Sequence, residues 1–174
     1  MLKVMFVCTG NTCRSPMAEY ALKHALKTRG ATGVKVTSAG ISAANGDKIN
    51  EKAKAALKKR GITVRRFEAK RVTAELAKKQ NAVICMSQSH ARAFVGFNNV
   101  YTIGELAGVG EVSDPFGLSQ TAYDDTLSVI LRACDIIAEL LIKELGDKAA
   151  ETATNTKNEK NAETAKKTKK SNNS

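Results

Sequence analysis

Cys8 and Arg14 carry the most pointed chemistry in this chain: a thiol and a guanidinium with five residues between them. The segment Cys8-Thr9-Gly10-Asn11-Thr12-Cys13-Arg14-Ser15 is small and polar apart from Cys13. A loop of that composition can curl so that successive N–H groups point inward and form a nest for an anion. A helix starting just beyond it adds partial positive charge. A thiol in such a field is a candidate nucleophile. Arg14, returning at the end of the curl, can fork two N–H groups onto phosphate oxygens. Nucleophile, oxyanion cradle and charge clamp together suit attack of sulfur on phosphorus, giving a phosphocysteine that water then hydrolyses. The spacing alone is equally met by a buried strand-end cysteine and an unrelated surface arginine, so the flanking elements decide between the two.

Residues 2–7 are a short apolar and β-branched run ending at Thr9-Gly10-Asn11, which reads as a buried strand. It delivers Cys8 to the C-terminal edge of a sheet, where open parallel sheets hold their ligands. Ser15 suits an N-cap and Pro16 a first helical residue, and Met17, Ala21, Leu22, Ala25 and Leu26 recur at helical spacing up to Gly30. Residues 34–38 read as a second strand, closed by Ala39-Gly40, and residues 50–60 as a helix with Ala53, Ala56 and Leu57 facing in. Thr73 can cap a helix through Gln80; residues 82–86 form an apolar run suited to burial on both faces. A short helix over 89–97 and a strand over 100–103 follow, and residues 104–121 read as a long loop with four glycines and Asp114-Pro115. The last helix, 123–145, puts Leu127, Ile130, Leu131, Cys134, Ile137, Leu141 and Leu145 on one face. Strands alternating with helices predict an α/β fold with a parallel sheet covered on both sides.

The run Val7-Cys8-Thr9-Gly10-Asn11-Thr12-Cys13-Arg14-Ser15-Pro16-Met17-Ala18-Glu19 closely resembles the signature of low-molecular-weight protein tyrosine phosphatases. Ser38-Ala39-Gly40-Ile41 and Asp114-Pro115-Phe116-Gly117 resemble two further motifs of that family, and the likeness spans about residues 2–145. The resemblance implies a three-layer domain: a four-stranded parallel sheet with helices on both faces and a phosphate-binding loop after the first strand. It makes Cys8 the nucleophile and Arg14 the phosphate clamp. Thr9, Gly10, Asn11, Thr12, Cys13 and Ser15 become the substrate-binding loop, with Asn11 and Ser15 holding it and supporting the thiolate. Asp114 becomes the general acid and then the base that activates water. Its place before Pro115 favours an extended backbone, and a glycine-rich loop could swing it over the pocket; a plain Asp-Pro turn is the alternative. Asp124 and Asp125 look like N-terminal charges of the last helix. Thr12 and Asp-Pro-Phe-Gly resemble the bacterial protein arginine phosphatase branch, whereas tyrosine-specific members usually carry Ile or Leu at the first place and a Tyr pair at the second. No aromatic residue lies in the other presumed rim, residues 42–47. Many relatives have a loop-bracing His after the second helix; here Val64-Arg65-Arg66-Phe67 stands instead, leaving Arg66 or a backbone group to brace the loop. The family often has a second loop cysteine, so Cys13 is either a redox partner that protects Cys8 as a disulfide or a small buried residue.

The chain has 174 residues and a net charge of +11, with 43% hydrophobic and 26% charged residues, as in a globular protein. No apolar run is long enough for a membrane span, and the apolar start is too short for a signal-peptide core. A cytoplasmic location is expected. After Leu145 there is no Val, Ile, Leu, Phe or Met. Residues 147–174, with net charge +3, are therefore expected to be a lysine-rich disordered tail, and residues 1–146, with +8, one catalytic domain. Cys8, Cys13, Cys85 and Cys134 are too few for a disulfide scaffold, and neither His24 nor His90 lies at zinc-ligand spacing from a cysteine pair, so no metal or other cofactor is expected. Cys85 and Cys134 read as core, and His24 and His90 as surface or partly packed residues without a chemical role. The expected partners are phosphorylated protein substrates acted on by a monomer. Phosphotyrosine protein is the alternative substrate. A thioredoxin-coupled arsenate reductase would need further resolving cysteines. An anion- or nucleic-acid-binding module rests on clusters such as Lys58-Lys59-Arg60 and Arg65-Arg66, which lack interleaved aromatics for stacking.

Overall fold

Seven residues, Leu2–Cys8, form β1, buried everywhere except at Lys3. Such an unbroken apolar strand is stable only with both faces covered and both edges paired. In the computed structural model, which describes the backbone of residues 1–171 and the side chains of residues 1–148, β1 is central. It pairs with β2 (Val34–Gly40) on one side and β3 (Ala82–Cys85) on the other, and β4 (Val100–Thr102) lies outside β3. All pairings are parallel. The connections run through α1 (Arg14–Thr28), α2 (Glu51–Lys59), α3 (Ala74–Lys78), α4 (Gln88–Ala91) with a following 3-10 turn (Arg92–Phe94), α5 (Ile103–Ala107) and α6 (Gln120–Ser171). The order β2-β1-β3-β4 reverses direction at β1, so the loops after β1 and β3 meet at the switch point where ligands sit in such sheets.

Alternation along the strands divides the core. Met5, Val7, Ala39, Val83 and Cys85 cluster with Ala77 of α3 and Phe94 of the 3-10 turn on one face. Val4 and Phe6, on the opposite pleat, are fully buried. Helix α1 packs along β1 and β2 and against α6, where the Cys134 thiol donates to the Ala18 carbonyl at 3.6 Å. Residues 1–139 form one compact unit and residues 140–174 another, the boundary lying within α6. The tail expected over 147–174 begins within α6, whose backbone runs on to Ser171, and no side chain is described from residue 149 on. Among the described residues, no helix is long and apolar enough to cross a membrane.

Three local expectations need correction. Helix α1 begins at Arg14, with Cys13 in the N-cap place, so Ser15 is inside the helix rather than capping it; its hydroxyl is held elsewhere, as described below. The stretch expected to be all loop after residue 103 opens with α5. Thr102 accepts from the Glu105 N–H, the Glu105 carboxylate accepts from the Thr102 N–H, and Gly108 closes the turn at φ 63°. That is a capping box, which nucleates a short helix without any apolar periodicity. The helix expected over 89–97 is shorter, stopping as α4 and its 3-10 turn.

Gly40 is where sheet and loop come closest. A Cβ there would lie 2.5 Å from the Thr9 carbonyl oxygen and 2.8 Å from the Asn11 nitrogen, both backbone atoms unable to swing away. Gly40→Ala should therefore destabilise the protein by about 1–3 kcal/mol through overpacking, read as a lower denaturant midpoint. An unchanged midpoint would show that the loop after β1 yields freely to a methyl group.

Candidate active site

The loop after β1 is fastened on its outer side by the chain that follows β2. Ile41 N–H donates to the Cys8 carbonyl at 3.0 Å, Ser42 N–H to that of Thr9 at 2.9 Å, and Asn50 N–H to that of Thr12 at 2.9 Å. Tethering carbonyls outward is what a nest requires, since the peptide N–H groups then line the concave side. Asn11 takes the left-handed conformation that closes the curl, at φ 54°, the single non-glycine residue with positive φ among those described. Asparagine tolerates that region better than most residues because its short amide can bond locally.

Behind the loop runs a chain of buried hydrogen bonds with a fixed direction. Lys70 N–H donates to Asn11 Oδ1 at 2.9 Å, so the amide NH2 must face the other way. It donates to Ser15 Oγ and to Ser38 Oγ, each at 2.9 Å. Ser38 in turn donates to the Glu19 carboxylate at 2.6 Å. A carboxylate can only accept, and Lys23 holds it from the next turn of α1. The order therefore leaves Ser15 as acceptor from Asn11, with its own proton free for Cys8 Sγ at 2.9 Å or, further off, the Ala39 carbonyl at 3.3 Å. This explains why Ser15 does not cap α1. The expected bracing group after α2 is the Lys70 backbone N–H; Arg66 uses its carbonyl to accept from Tyr20 instead.

Arg14 is largely buried, and its two terminal nitrogens are both used. Nη1 donates to the Val112 carbonyl at 3.2 Å, and Nη2 to Asp114 Oδ2 at 2.6 Å. Asp114, half exposed, also accepts the Phe116 N–H at 3.2 Å in an Asx turn. Residues a hundred positions apart thus meet directly, and Phe116 and Leu118 stand exposed beside them. Asp124 lies apart from this group and pairs with Lys59 at 2.6 Å.

Cys13 is buried, with its sulfur 3.4 Å from the Tyr123 hydroxyl and 3.7 Å from Thr12 Oγ1. Desolvation raises its thiol above the ordinary range, with the Tyr123 bond opposing. Cys85 sits within β3, pushed up to about 12 chiefly by burial, and Cys134 is pushed up further for the same reason. Among the described residues no group of three or more His, Cys, Asp or Glu could hold a metal ion.

The residue missed from sequence is His90. It is 3% exposed, with Nε2 3.0 Å from Thr9 Oγ1 and Nδ1 2.7 Å from Ser87 Oγ. Burial, and then the Arg14 charge, hold its imidazole below the ordinary value. The available signal was positional: His90 follows the C-terminal end of a central strand by five residues, on the edge where Cys8 emerges. His24 is exposed, as expected.

A family model described as low molecular weight phosphotyrosine protein phosphatase matches residues 3–165. A protein-arginine-phosphatase of Bacillus subtilis is 33% identical over 150 residues, covering 82% of this chain and 99% of its own. The low molecular weight protein-tyrosine-phosphatase Ptp of Acinetobacter johnsonii is 32% identical over 136 residues, covering 75% and 91%. Among solved structures, a cysteine-to-serine mutant of the YwlE arginine phosphatase, with a phosphorylated active-site serine, superposes with a TM-score of 0.75. It is 33% identical and covers 80% of this chain and 95% of its own.

Asn11 tests the network. Its three hydrogen bonds are made in full burial, so Asn11→Ala leaves the Lys70 N–H and two hydroxyls short of partners. A stability loss of about 1–3 kcal/mol is expected, measured by chemical denaturation. No loss would mean that backbone anchors alone hold the loop.

Proposed function

The chain belongs to the low molecular weight phosphotyrosine protein phosphatase family, and from that premise we propose that it is a cysteine-dependent phosphoprotein phosphatase that prefers phosphoarginine. It is a phosphatase by family; the residue roles and the substrate are our reading. The observation that carries it is the convergence of Cys8 Sγ with the Ser15 hydroxyl at 2.9 Å and of Arg14 with Asp114 at 2.6 Å around one anion-shaped loop.

In the first step the Cys8 thiolate attacks phosphorus, the bond to the leaving nitrogen or oxygen breaks, and the Asp114 carboxyl gives that atom its proton. Arg14 and the amides of residues 9–14 hold the three equatorial oxygens, where charge is spread in the transition state. In the second step Asp114 takes a proton from water, water attacks phosphorus, and Cys8 leaves as thiolate with inorganic phosphate released. The loop and Arg14 supply the positive charge themselves, so the reaction calls for no metal or other cofactor. The enzyme is read as a cytoplasmic monomer acting on phosphorylated proteins, with residues 1–146 as its catalytic domain.

Substrate choice rests on the wall of the loop. Thr12 offers a hydroxyl where a phenol ring would favour an apolar side chain, and Asp114 adds a half-exposed carboxylate beside Arg14. They suit a guanidinium leaving group better than a phenol. Phosphotyrosine stands as the second reading, since both kinds of phosphatase are similar to this chain to the same degree. Arsenate reduction gains no support: Cys85 and Cys134, the thiols outside the loop, are both buried. Cys13, buried within the same loop, is proposed as the thiol that pairs with oxidised Cys8.

Cys8→Ser should abolish hydrolysis of para-nitrophenyl phosphate, and Asp114→Ala should slow it by about 10²–10⁴-fold while phosphate still binds. Normal turnover by Cys8→Ser would overturn the mechanism. For the substrate, kcat/KM on phosphoarginine peptides should exceed that on phosphotyrosine peptides, and Thr12→Ile should shift the ratio toward phosphotyrosine. A ratio unmoved by that substitution would remove Thr12 from the specificity argument.

A further inference from the structure

We propose that His90 is a positioning residue of the phosphate-binding loop, acting through Thr9; the proposal rests on reading that loop as the phosphoryl site. Thr9 is the first residue after Cys8 and stands exposed on the rim. It is nonetheless held from both flanks of β1. From the β2 side, Ser42 N–H takes its carbonyl at 2.9 Å. From the β3 side, His90 Nε2 meets its hydroxyl at 3.0 Å. The histidine is itself fixed: Nδ1 lies 2.7 Å from Ser87 Oγ, Ser87 Oγ lies 2.8 Å from Ser89 Oγ, and the His90 N–H donates to the Ser87 carbonyl at 3.2 Å. An exposed threonine free of that contact would sample other rotamers, and the peptide between Cys8 and Gly10 would loosen with it. A sub-ångström shift there moves the amides that must meet the phosphoryl oxygens.

The protonation state fits the role. The charged groups that act on the ring are Arg14, Asp114 and Glu111; burial, and then Arg14, outweigh the carboxylates and lower its pKa, which favours the neutral imidazole. A neutral ring has one donor and one acceptor nitrogen, and both partners here are hydroxyls able to play either part. The ring's hydrogen bonds go to Thr9 and Ser87 and not to Cys8, so its influence on the loop passes through Thr9.

The test is a double-substitution series on the full chain: His90→Ala, Thr9→Val, the pair combined, and His90→Gln, whose amide can reach the position of Nε2. The readouts are kcat/KM for para-nitrophenyl phosphate and the affinity for inorganic phosphate by calorimetry. His90→Ala and Thr9→Val should each weaken both by about three- to tenfold, as for one lost hydrogen bond. The combined variant should be no worse than either alone, and His90→Gln should recover most of the loss. Losses that multiply, a glutamine no better than alanine, or a His90→Ala protein within twofold of the parent would each overturn the proposal. A merely structural histidine would give multiplying losses and no rescue. Should His90→Ala fail to fold, Thr9→Val and His90→Gln still decide. A parent protein that binds phosphate but hydrolyses nothing would overturn the phosphatase reading alone, and the affinity series would still judge His90.

Discussion

A backbone donor at one end and a carboxylate at the other set the direction of the hydrogen bonds behind the loop. Because Lys70 N–H takes Asn11 Oδ1, the amide must donate from its other side. Because Glu19 can only accept, Ser38 must donate to it and receive from Asn11. Those two constraints at opposite ends leave Ser15 one arrangement toward Asn11, accepting, and so direct its proton away from the network. Reversal of any link would strand a buried polar atom, and no buried side-chain nitrogen or oxygen among the described residues lacks a partner. A nucleophilic sulfur gains from such an arrangement, because a donor aimed at it before reaction needs no reorganisation during reaction.

The sheet is what makes so small a network possible. Asn11, Ser15, Glu19, Ser38 and Lys70 come from the loop after β1, from α1, from β2 and from the segment leading to α3. Parallel pairing in register, with Cys8 opposite Gly40, brings the last two strand residues side by side. Absence of a side chain at Gly40 then lets the loop lie directly on the strand end. Close packing turns this into rigidity: the loop cannot relax toward β2 without meeting backbone atoms, and cannot move away without losing the Ile41 and Ser42 donors.

Much of this was legible from the chain. The apolar run 2–7, the Cys8–Arg14 spacing and the Ser-Pro step locate β1, the loop and α1 to within two residues, because periodicity and turn chemistry are local signals. Only the resemblance of its motif singles out Asp114 in the sequence; its contact with Arg14 spans a hundred residues and no local pattern encodes it. Ser-Pro favours Ser15 as a cap, but the hydrogen bonds of Ser15 with Cys8 and Asn11 override that local preference. Helix α5 has no apolar periodicity to mark it, because it rests on a capping box within a glycine-rich stretch. His90 carries no periodic or spacing signature in the sequence. Its meaning comes only from the strand order, which sets the ends of β1 and β3 side by side.

On the proposed mechanism, the Arg14–Asp114 pair links substrate entry to the readiness of the acid. Arg14 is nearly buried and Asp114 half exposed, so the pair lies at the mouth of the loop rather than in its floor. A phosphoryl group entering the nest brings up to two negative charges toward a guanidinium whose Nη2 already serves a carboxylate. The dianion, also held by the loop amides, is the stronger partner for that fork. Asp114 is then released from its ion pair and free to face the leaving group, to which the first step gives its proton. Once the leaving group has departed with that proton, the carboxylate is regenerated beside the phosphocysteine, where a base for water is needed. On that mechanism Asp114 is the acid before cleavage and the base after it, and Arg14 exchanges its carboxylate partner for the phosphoryl oxygens.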